Sequence, residues 1–312
     1  MRALVTGASG FIGHHAVTAL ASAGWEVHGT CWSRRPTLPG VTLHPTDLLD
    51  RKQIERLVQD VRATHLLHLA WYTKPGAYWM APENHAWVDA SLHLAREFTR
   101  AGGRRMVVAG TCAEYSWYRN ESDFTRNLEI ARFRESSTLI APASLYGQAK
   151  CSLATALTTL GRNLSLGVGW GRVFSSFGPH EPETRLLPSV ICALLKNQEI
   201  SCTHGEQIRD VLYVTDVARA FVTLLSSDER QPVNICSGKP IQLRTLVDAV
   251  AGLLGRPNLV HFGKRPISPD EPAIIVGDNE RLLNLGWHPQ AEFNESLIQT
   301  IDWWREKVAN QR

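Results

Sequence analysis

Along the first half of the chain, apolar and polar positions follow two rhythms. Arg2–Thr6, Trp25–Thr30, His65–Ala70 and Arg105–Gly110 are short apolar runs, the pattern of buried strands. The stretches Phe11–Ala23, Arg51–Arg62 and Pro82–Ala101 between them repeat apolar residues every three or four positions, which predicts helices. Strands and helices in alternation imply right-handed crossovers and a parallel sheet covered on both faces. The expected class is therefore α/β, a doubly wound parallel sheet whose ligands sit at the C-terminal ends of its strands. The second half is less regular. Gly178-Pro-His-Glu-Pro182 is rich in turn formers, Leu187–Leu195 has helical spacing, and Gly263–Pro272 is a proline-rich loop.

Gly7, Gly10 and Gly13 stand at three-residue spacing between the first strand and the first helix. Glycines here either mark an ordinary turn or let the backbone approach a pyrophosphate, whose charge is met by free N–H groups at the helix start. The second possibility makes the first half Rossmann-like. Residues 1–172 are then a dinucleotide-binding domain and residues 173–312 a smaller α/β substrate-binding domain, with 211–230 packing back on the first.

Composition narrows the partners. With 44% hydrophobic residues, 20% charged residues and a net charge of +3, the chain can bury a full core and shows no electrostatic stripe for nucleic acid or an anionic membrane. No basic segment with a long apolar run precedes the first strand, and no run reaches membrane-spanning length, so a cytoplasmic location is expected. The six cysteines lack paired metal-ligand spacing; reduced thiols and no metal site are expected.

Candidate chemistry lies at three strand ends. After the second strand, Thr30-Cys31-Trp32-Ser33-Arg34-Arg35 carries no carboxylate for an adenosine ribose. Ser33, Arg34 and Arg35 either form a solvated loop or grip a 2′-phosphate, which favours NADP(H) over NAD(H). Asp47 either receives an adenine amino group or caps the following helix. In the stretch Met106–Tyr115 the third of these strands ends in Thr111, which either caps a turn or bonds a substrate oxygen. Tyr146 and Lys150, one helical turn apart, are either an exposed pair or a phenol drawn toward neutrality by a neighbouring ammonium.

Taken together, the chain resembles an extended short-chain dehydrogenase/reductase of the nucleotide-sugar epimerase/dehydratase family. The resemblance is carried in order by Thr6–Gly13, Asp47-Leu48, His68-Leu-Ala70, the strand into Thr111, Tyr146–Lys150, Arg209-Asp210, Val214–Ala218, Asn234–Pro240 and Leu285-Gly-Trp287. It implies Thr111, Tyr146 and Lys150 as the catalytic set, with Lys150 also on the nicotinamide ribose. Gly7, Gly10, Phe11, Ile12, Gly13, Asp47, Leu48, Leu69 and Ala70 would contact the cofactor. Tyr72, Thr111, Cys112, Leu187 and Arg209 would contact the nucleotide sugar, with Arg209 on its diphosphate. The helices at Pro82–Ala101 and after Tyr146 resemble the pair through which family members dimerise, so a homodimer is expected.

Departures from the family pattern sharpen the expectation. The 4,6-dehydratases of the family carry Asp-Glu directly after the catalytic threonine, where this chain has Cys112 and Ala113; neither is a carboxylate acid or base. Glu114 should point elsewhere. The stretch from Thr111 to Tyr146 is long for the family and contains Trp117–Phe124. Trp87 stands where an asparagine is usual, with Asn84 three residues earlier. Trp71, Tyr72, Tyr78, Trp79 and Trp87 cluster after the strand expected beside the nicotinamide, and Tyr72 is expected first against substrate, while His68 packs beneath the cofactor. The function expected is an NADPH-dependent 4-ketoreductase of a nucleotide-linked 4-keto-6-deoxyhexose. The alternatives are a C4 epimerase, a reductase of another small carbonyl compound, and a non-catalytic NADP sensor.

Overall fold

The computed structural model describes residues 1–32, 36–117, 132–268 and 271–310. Ser33, Arg34, Arg35 and most of Trp117–Phe124 lie outside the described residues. In chain order the strands are β1 (Arg2–Thr6), β2 (Glu26–Cys31), β3 (Val41–Pro45), β4 (His65–His68), β5 (Arg105–Thr111), β6 (Gly167–Val173), β7 (Ser175–Phe177), β8 (Ile200–Ser201), β9 (Ile208–Tyr213), β10 (Pro232–Ile235), β11 (Pro240–Gln242), β12 (Val260–His261) and β13 (Ile274–Ile275). Seven of them form one parallel sheet in the order β10-β6-β5-β4-β1-β2-β3. Its central strands read as continuous apolar runs because helices cover both faces. The order reverses between β1 and β4, so loops diverge there and leave a crevice at the strands' C-terminal ends.

The chain returns to this sheet late. Helix Val214–Ser226 packs on helix Phe11–Ser22 and against β5 and β6, burying Val217, Phe221 and Leu224 completely. The returning segment runs past residue 230, because β10 forms the sheet's edge and Leu282 and Trp287 bury in the same core. The remaining strands build a smaller sheet around β9, which pairs antiparallel with β11 and parallel with β7 and β13. Helices Leu186–Leu195, Leu243–Leu253 and Phe293–Ala309 enclose a separate core of Val190, Ile191, Leu246, Leu297 and Trp304. The turn after β7 meets the first helix through His15 Nε2, which donates to the Pro179 carbonyl at 3.0 Å, and through His14 stacked on His180.

All six cysteines are free thiols. Among the described residues no helix is long and apolar enough to cross a membrane. An open groove of about 650 Å³ runs along helices Glu83–Arg100 and Leu145–Leu164, lined by Leu92, Arg96, Cys151 and Thr155 among others.

Phe221 holds the returning helix against the main sheet with no exposed surface. Phe221→Ala is expected to cost about 3–5 kcal/mol through lost burial and an unfilled cavity, read as a lower urea midpoint at unchanged slope.

Candidate active site

The glycine turn is packed too tightly for side chains. Gly7 adopts φ +72°, and a Cβ there would approach the Ala70 amide nitrogen to 3.0 Å. A Cβ on Gly13 would fall well inside contact distance of the Gly7 carbonyl oxygen. The turn is held by Gly10 N–H to Gly7 O at 2.9 Å and Gly7 N–H to Thr30 Oγ1 at 3.1 Å. Helix Phe11–Ser22 then starts with no side-chain cap and no acidic residue in its first turn. Its N–H groups and the positive end of its dipole suit an anion, so the cradle fits a dinucleotide pyrophosphate. Phe11 and Ile12 turn toward the smaller domain's core and pack against it.

A buried relay ties this turn to β4. Thr6 Oγ1 accepts the N–H groups of Leu69 and Ala70, both at 3.2 Å, so its own hydrogen goes to His68 Nδ1 at 2.7 Å. His68 Nε2–H then donates to Ser91 Oγ at 2.8 Å, and Ser91 donates to the Trp87 carbonyl at 2.6 Å. Every position is satisfied with a neutral imidazole. Burial, with Lys150 nearby, drives His68 down to about 3. The histidine is structural.

Thr111, Tyr146 and Lys150 converge at the C-terminal end of β5. Thr111 is the N-cap of the short 3₁₀ turn Cys112–Glu114; its hydroxyl oxygen accepts from the Ala113 amide at 3.2 Å and its hydrogen bonds Tyr146. Tyr146 lies in the first turn of helix Leu145–Leu164, whose start is fixed by Ser144 Oγ accepting from the Gly147 amide at 3.1 Å. Burial raises the phenol, Tyr78 adds to this, and the Thr111 bond partly opposes it. The helical spacing alone predicts the reverse, a phenol lowered by Lys150. The correction has a geometric reason: the lysine Nζ lies 5.9 Å from the Tyr146 ring centroid, donates to the Ala109 carbonyl at 2.8 Å and sits 3.6 Å from the Trp71 ring centroid. Burial lowers Lys150 to about 7, against the pull of Glu114.

Beneath Thr111 is a charged network that sequence reading missed. Glu114 is fully buried and accepts from the Thr111 amide at 2.8 Å, Trp170 Nε1 at 2.9 Å and Arg172 Nε at 2.7 Å. Arg172 donates on to Tyr115 Oη at 3.0 Å, and Tyr115 donates to Asn234 Oδ1 at 2.7 Å. Only the place of Glu114 and Arg172 at adjacent strand ends hinted at this pair. Glu114 thus points away from the cleft and is fully engaged. Cys112 sits at the cleft with its thiol pushed up to about 12 by burial, so it stays protonated.

The aromatic cluster divides into two groups. Tyr72 packs beside the main core, whereas Tyr78 and Trp79 place their rings 5.0 and 5.8 Å from Tyr146, both edge to face. Trp117 joins Trp79 and donates Nε1 to the Cys112 carbonyl at 3.2 Å. Tyr78 is tied to the smaller domain by a hydrogen bond from Arg185, which lies 3.6 Å from Glu181. Asn84, fully buried, accepts Trp71 Nε1–H at 2.8 Å and donates to the carbonyls of Tyr78 and Ala81, so it holds the turn before the helix although Trp87 occupies the usual asparagine position.

The remaining candidates are spread along the crevice. Asp47 Oδ1 accepts from the Leu49 amide at 2.9 Å, and the following helix is capped instead by Asp50; Leu48 is buried in the core. Leu69 packs on the core beside Ala70 at the glycine turn. Leu187 is turned into the smaller domain's core, and its neighbour Leu186 lines a cavity of about 210 Å³ with Gln207, Phe262, Arg265 and Glu271. Arg209 borders this region on β9, pairing with Glu271 at 3.0 Å and donating to the carbonyls of Ile208 and Ala273.

Comparison with known proteins gives this geometry a context. Residues 3–236 match the model of the NAD-dependent epimerase/dehydratase family. UDP-glucose 4-epimerase of Rhizobium meliloti strain 1021 is 25% identical over 328 residues, covering 96% of each chain. Human dTDP-D-glucose 4,6-dehydratase is 24% identical over 336 residues, covering 99% of this chain and 91% of its own. The crystal structure of UDP-glucose 4-epimerase from Thermus thermophilus, a complex with NAD, superposes with a TM-score of 0.82 at 24% identity, over 98% of this chain and 99% of its own.

Two outcomes test this construction. Glu114→Leu leaves the buried Arg172 without its counter-charge, with only Tyr115 Oη still accepting from it, and is expected to cost about 3–5 kcal/mol in urea unfolding, with most of it recovered in Glu114→Leu/Arg172→Met. His68 is neutral in the folded chain down to about pH 3 but ionises near its ordinary value of 6.5 when unfolded. The unfolded state binds the extra proton in that window, so stability falls on acidification by about 1.4 kcal/mol per pH unit from this group. His68→Gln is expected to flatten the slope between pH 6 and about 4, measured as urea midpoints across that range.

Proposed function

The chain belongs to the NAD-dependent epimerase/dehydratase family, and from that premise we propose that it is an NADPH-dependent 4-ketoreductase acting on a nucleotide-linked 4-keto-6-deoxyhexose. The observation that carries this reading is the state of Tyr146. Thr111 donates to the Tyr146 phenol oxygen at the C-terminal end of β5, so the phenol's own O–H is left for a substrate carbonyl oxygen, and the partial burial of the ring beside Tyr78 favours the protonated acid. A C4 epimerase, the second reading, would use the same residues with this tyrosine acting first as a base. The full-length likeness to a UDP-glucose 4-epimerase favours that second reading. Dehydration is disfavoured because the two residues after Thr111 offer a protonated thiol and a methyl group, and Glu114 is locked by Arg172 and Trp170.

A dinucleotide, when bound, would supply the hydride. The glycine turn and the first-turn N–H groups of helix Phe11–Ser22 hold its pyrophosphate. Preference for NADPH rests on Ser33, Arg34 and Arg35 with no nearby carboxylate; these residues lie outside the described ones, and the Thermus relative was crystallised with NAD. Thr111 and Tyr146 orient the sugar carbonyl and stabilise the oxygen as it gains charge, and Tyr146 delivers the proton. Lys150 returns positive charge to the site. Tyr78 and Trp79 screen the reacting oxygen from water with their ring edges and faces. The cavity edged by Leu186, Phe262 and Gln207 takes the nucleotide base, and Arg209 exchanges Glu271 for the diphosphate. The groove on helices Glu83–Arg100 and Leu145–Leu164 supports a homodimer.

Incubation with NADPH and a panel of nucleotide 4-keto-6-deoxysugars and parent nucleotide sugars, followed by mass spectrometry, separates the readings. A product two hydrogens heavier with equimolar NADPH loss is expected; sugar isomerisation with NADPH untouched would establish the epimerase instead. Tyr146→Phe should lower kcat by at least about 100-fold with cofactor affinity unchanged in a fluorescence titration. Because Lys150 loses its proton near pH 7, kcat is expected to fall as pH rises through that region.

A further inference from the structure

Lys150 has an unusual neighbour. Its ammonium nitrogen lies 3.6 Å from the centroid of the Trp71 ring, and one of its hydrogens goes to the Ala109 carbonyl at 2.8 Å. The residue is almost fully buried, at 3% exposure. A desolvated ammonium needs compensation, and the carboxylate that acts on it, Glu114, is taken by Arg172, Trp170 and the Thr111 amide. Beside the Ala109 carbonyl, the Trp71 face supplies negative potential at contact distance, whereas the Tyr146 ring centroid is 5.9 Å away.

The ring is also fixed. Its Nε1–H donates to Asn84 Oδ1, and the Asn84 amide in turn donates to the carbonyls of Tyr78 and Ala81, each at 2.8 Å. Trp87 packs with its ring centroid 6.0 Å away. Asn84 therefore sets the plane of the indole, and the indole faces the ammonium. The same amide anchors the turn that carries Tyr78 and Trp79 over Tyr146.

We propose that Trp71, oriented by Asn84, is a positioning residue that holds the Lys150 ammonium in its charged form inside the site by a cation–π contact. An indole serves here where a carboxylate would not. A carboxylate would bind the ammonium more strongly and consume its hydrogens, whereas the ring's face leaves donors unspent. With Ala109 taking one of the three N–H groups, Lys150 keeps others for the groups it serves. The function of that arrangement rests on the oxidoreductase reading above; the contact itself does not.

The sign of the effect separates this role from simple packing. If Trp71 only fills space, a smaller residue lets water reach Lys150 and raises its proton affinity toward that of an ordinary lysine. If the ring stabilises the ammonium, its removal lowers the affinity further. The test uses the full chain labelled with ¹³Cε-lysine and followed by NMR from pH 5 to 10, the Lys150 resonance being assigned as the one missing from Lys150→Met. Trp71→Leu is expected to lower the proton affinity of Lys150 by about tenfold. Trp71→Phe, which keeps a weaker π face and most of the volume, should shift it the same way by less. In the turnover assay, the alkaline fall of kcat should move to lower pH by the same amount as the titration midpoint of each variant. A Lys150 midpoint unmoved or raised in Trp71→Phe overturns the proposal, whether or not Trp71→Leu folds. Failure of the wild-type chain to reduce any nucleotide sugar would sink the functional reading while leaving the titration result intact.

Discussion

The structure depends on one close approach of backbone to backbone. At the point where the strand order reverses, the Gly7 turn lies against the Ala70 amide, and the start of helix Phe11–Ser22 lies against the Gly7 carbonyl. No residue with a Cβ fits at Gly13 without displacing that carbonyl. The contact is locked by Thr6, which gathers the Leu69 and Ala70 amides and passes its hydrogen to His68 and, through Ser91, to the helix that starts at Glu83. The glycine turn, the end of β4 and the helix before β5 are thereby set relative to one another by hydrogen bonds with no spare donor.

Burial then sorts the ionisable groups into roles. Each of them has lost water, and what replaces it differs. His68 receives two hydroxyl partners suited to the neutral ring and remains uncharged. Arg172 receives Glu114 and Tyr115 and stays charged. Lys150 receives one carbonyl and an indole face, the weakest compensation of the three, and its proton is the one poised near neutrality. Tyr146 receives Thr111 and a ring of aromatic edges and remains a phenol. The cleft thus holds a labile ammonium and a phenol, and the layer behind it a neutral imidazole and a buried ion pair, distinguished by their surroundings and not by their types.

The site also crosses between the two halves of the chain. Arg185 reaches from the smaller domain to Tyr78, His180 stacks on His14, and Arg209 sits on β9 within electrostatic reach of Cys112. The long return of the chain through helix Val214–Ser226 and β10 keeps those halves in one arrangement, because the strand that carries Arg209 leads directly into a helix buried on the first sheet.

Local rules sufficed for much of this. The alternation of apolar runs located four strands and three helices of the first half nearly to the residue, since buried parallel strands and amphipathic helices impose different periods on a sequence, while the mixed strand Val41–Pro45 at the sheet edge gave no such run. Glycine spacing located the tight turn before helix Phe11–Ser22, and the Tyr146–Lys150 spacing located the start of helix Leu145–Leu164, because both depend on residues close in the chain. What only the tertiary structure decided involves residues that sequence places far apart. Glu114 meets Arg172 on neighbouring strand ends, Trp71 meets Lys150 across the cleft, and Tyr78 and Trp79, not Tyr72, face Tyr146 because Asn84 folds their turn back over the site. The direction of the Tyr146 shift belongs with these. A tyrosine and a lysine one turn apart share a helix face, but whether the lysine leans toward the phenol or toward a carbonyl and an indole is a matter of what else occupies the cleft, and burial acts on both.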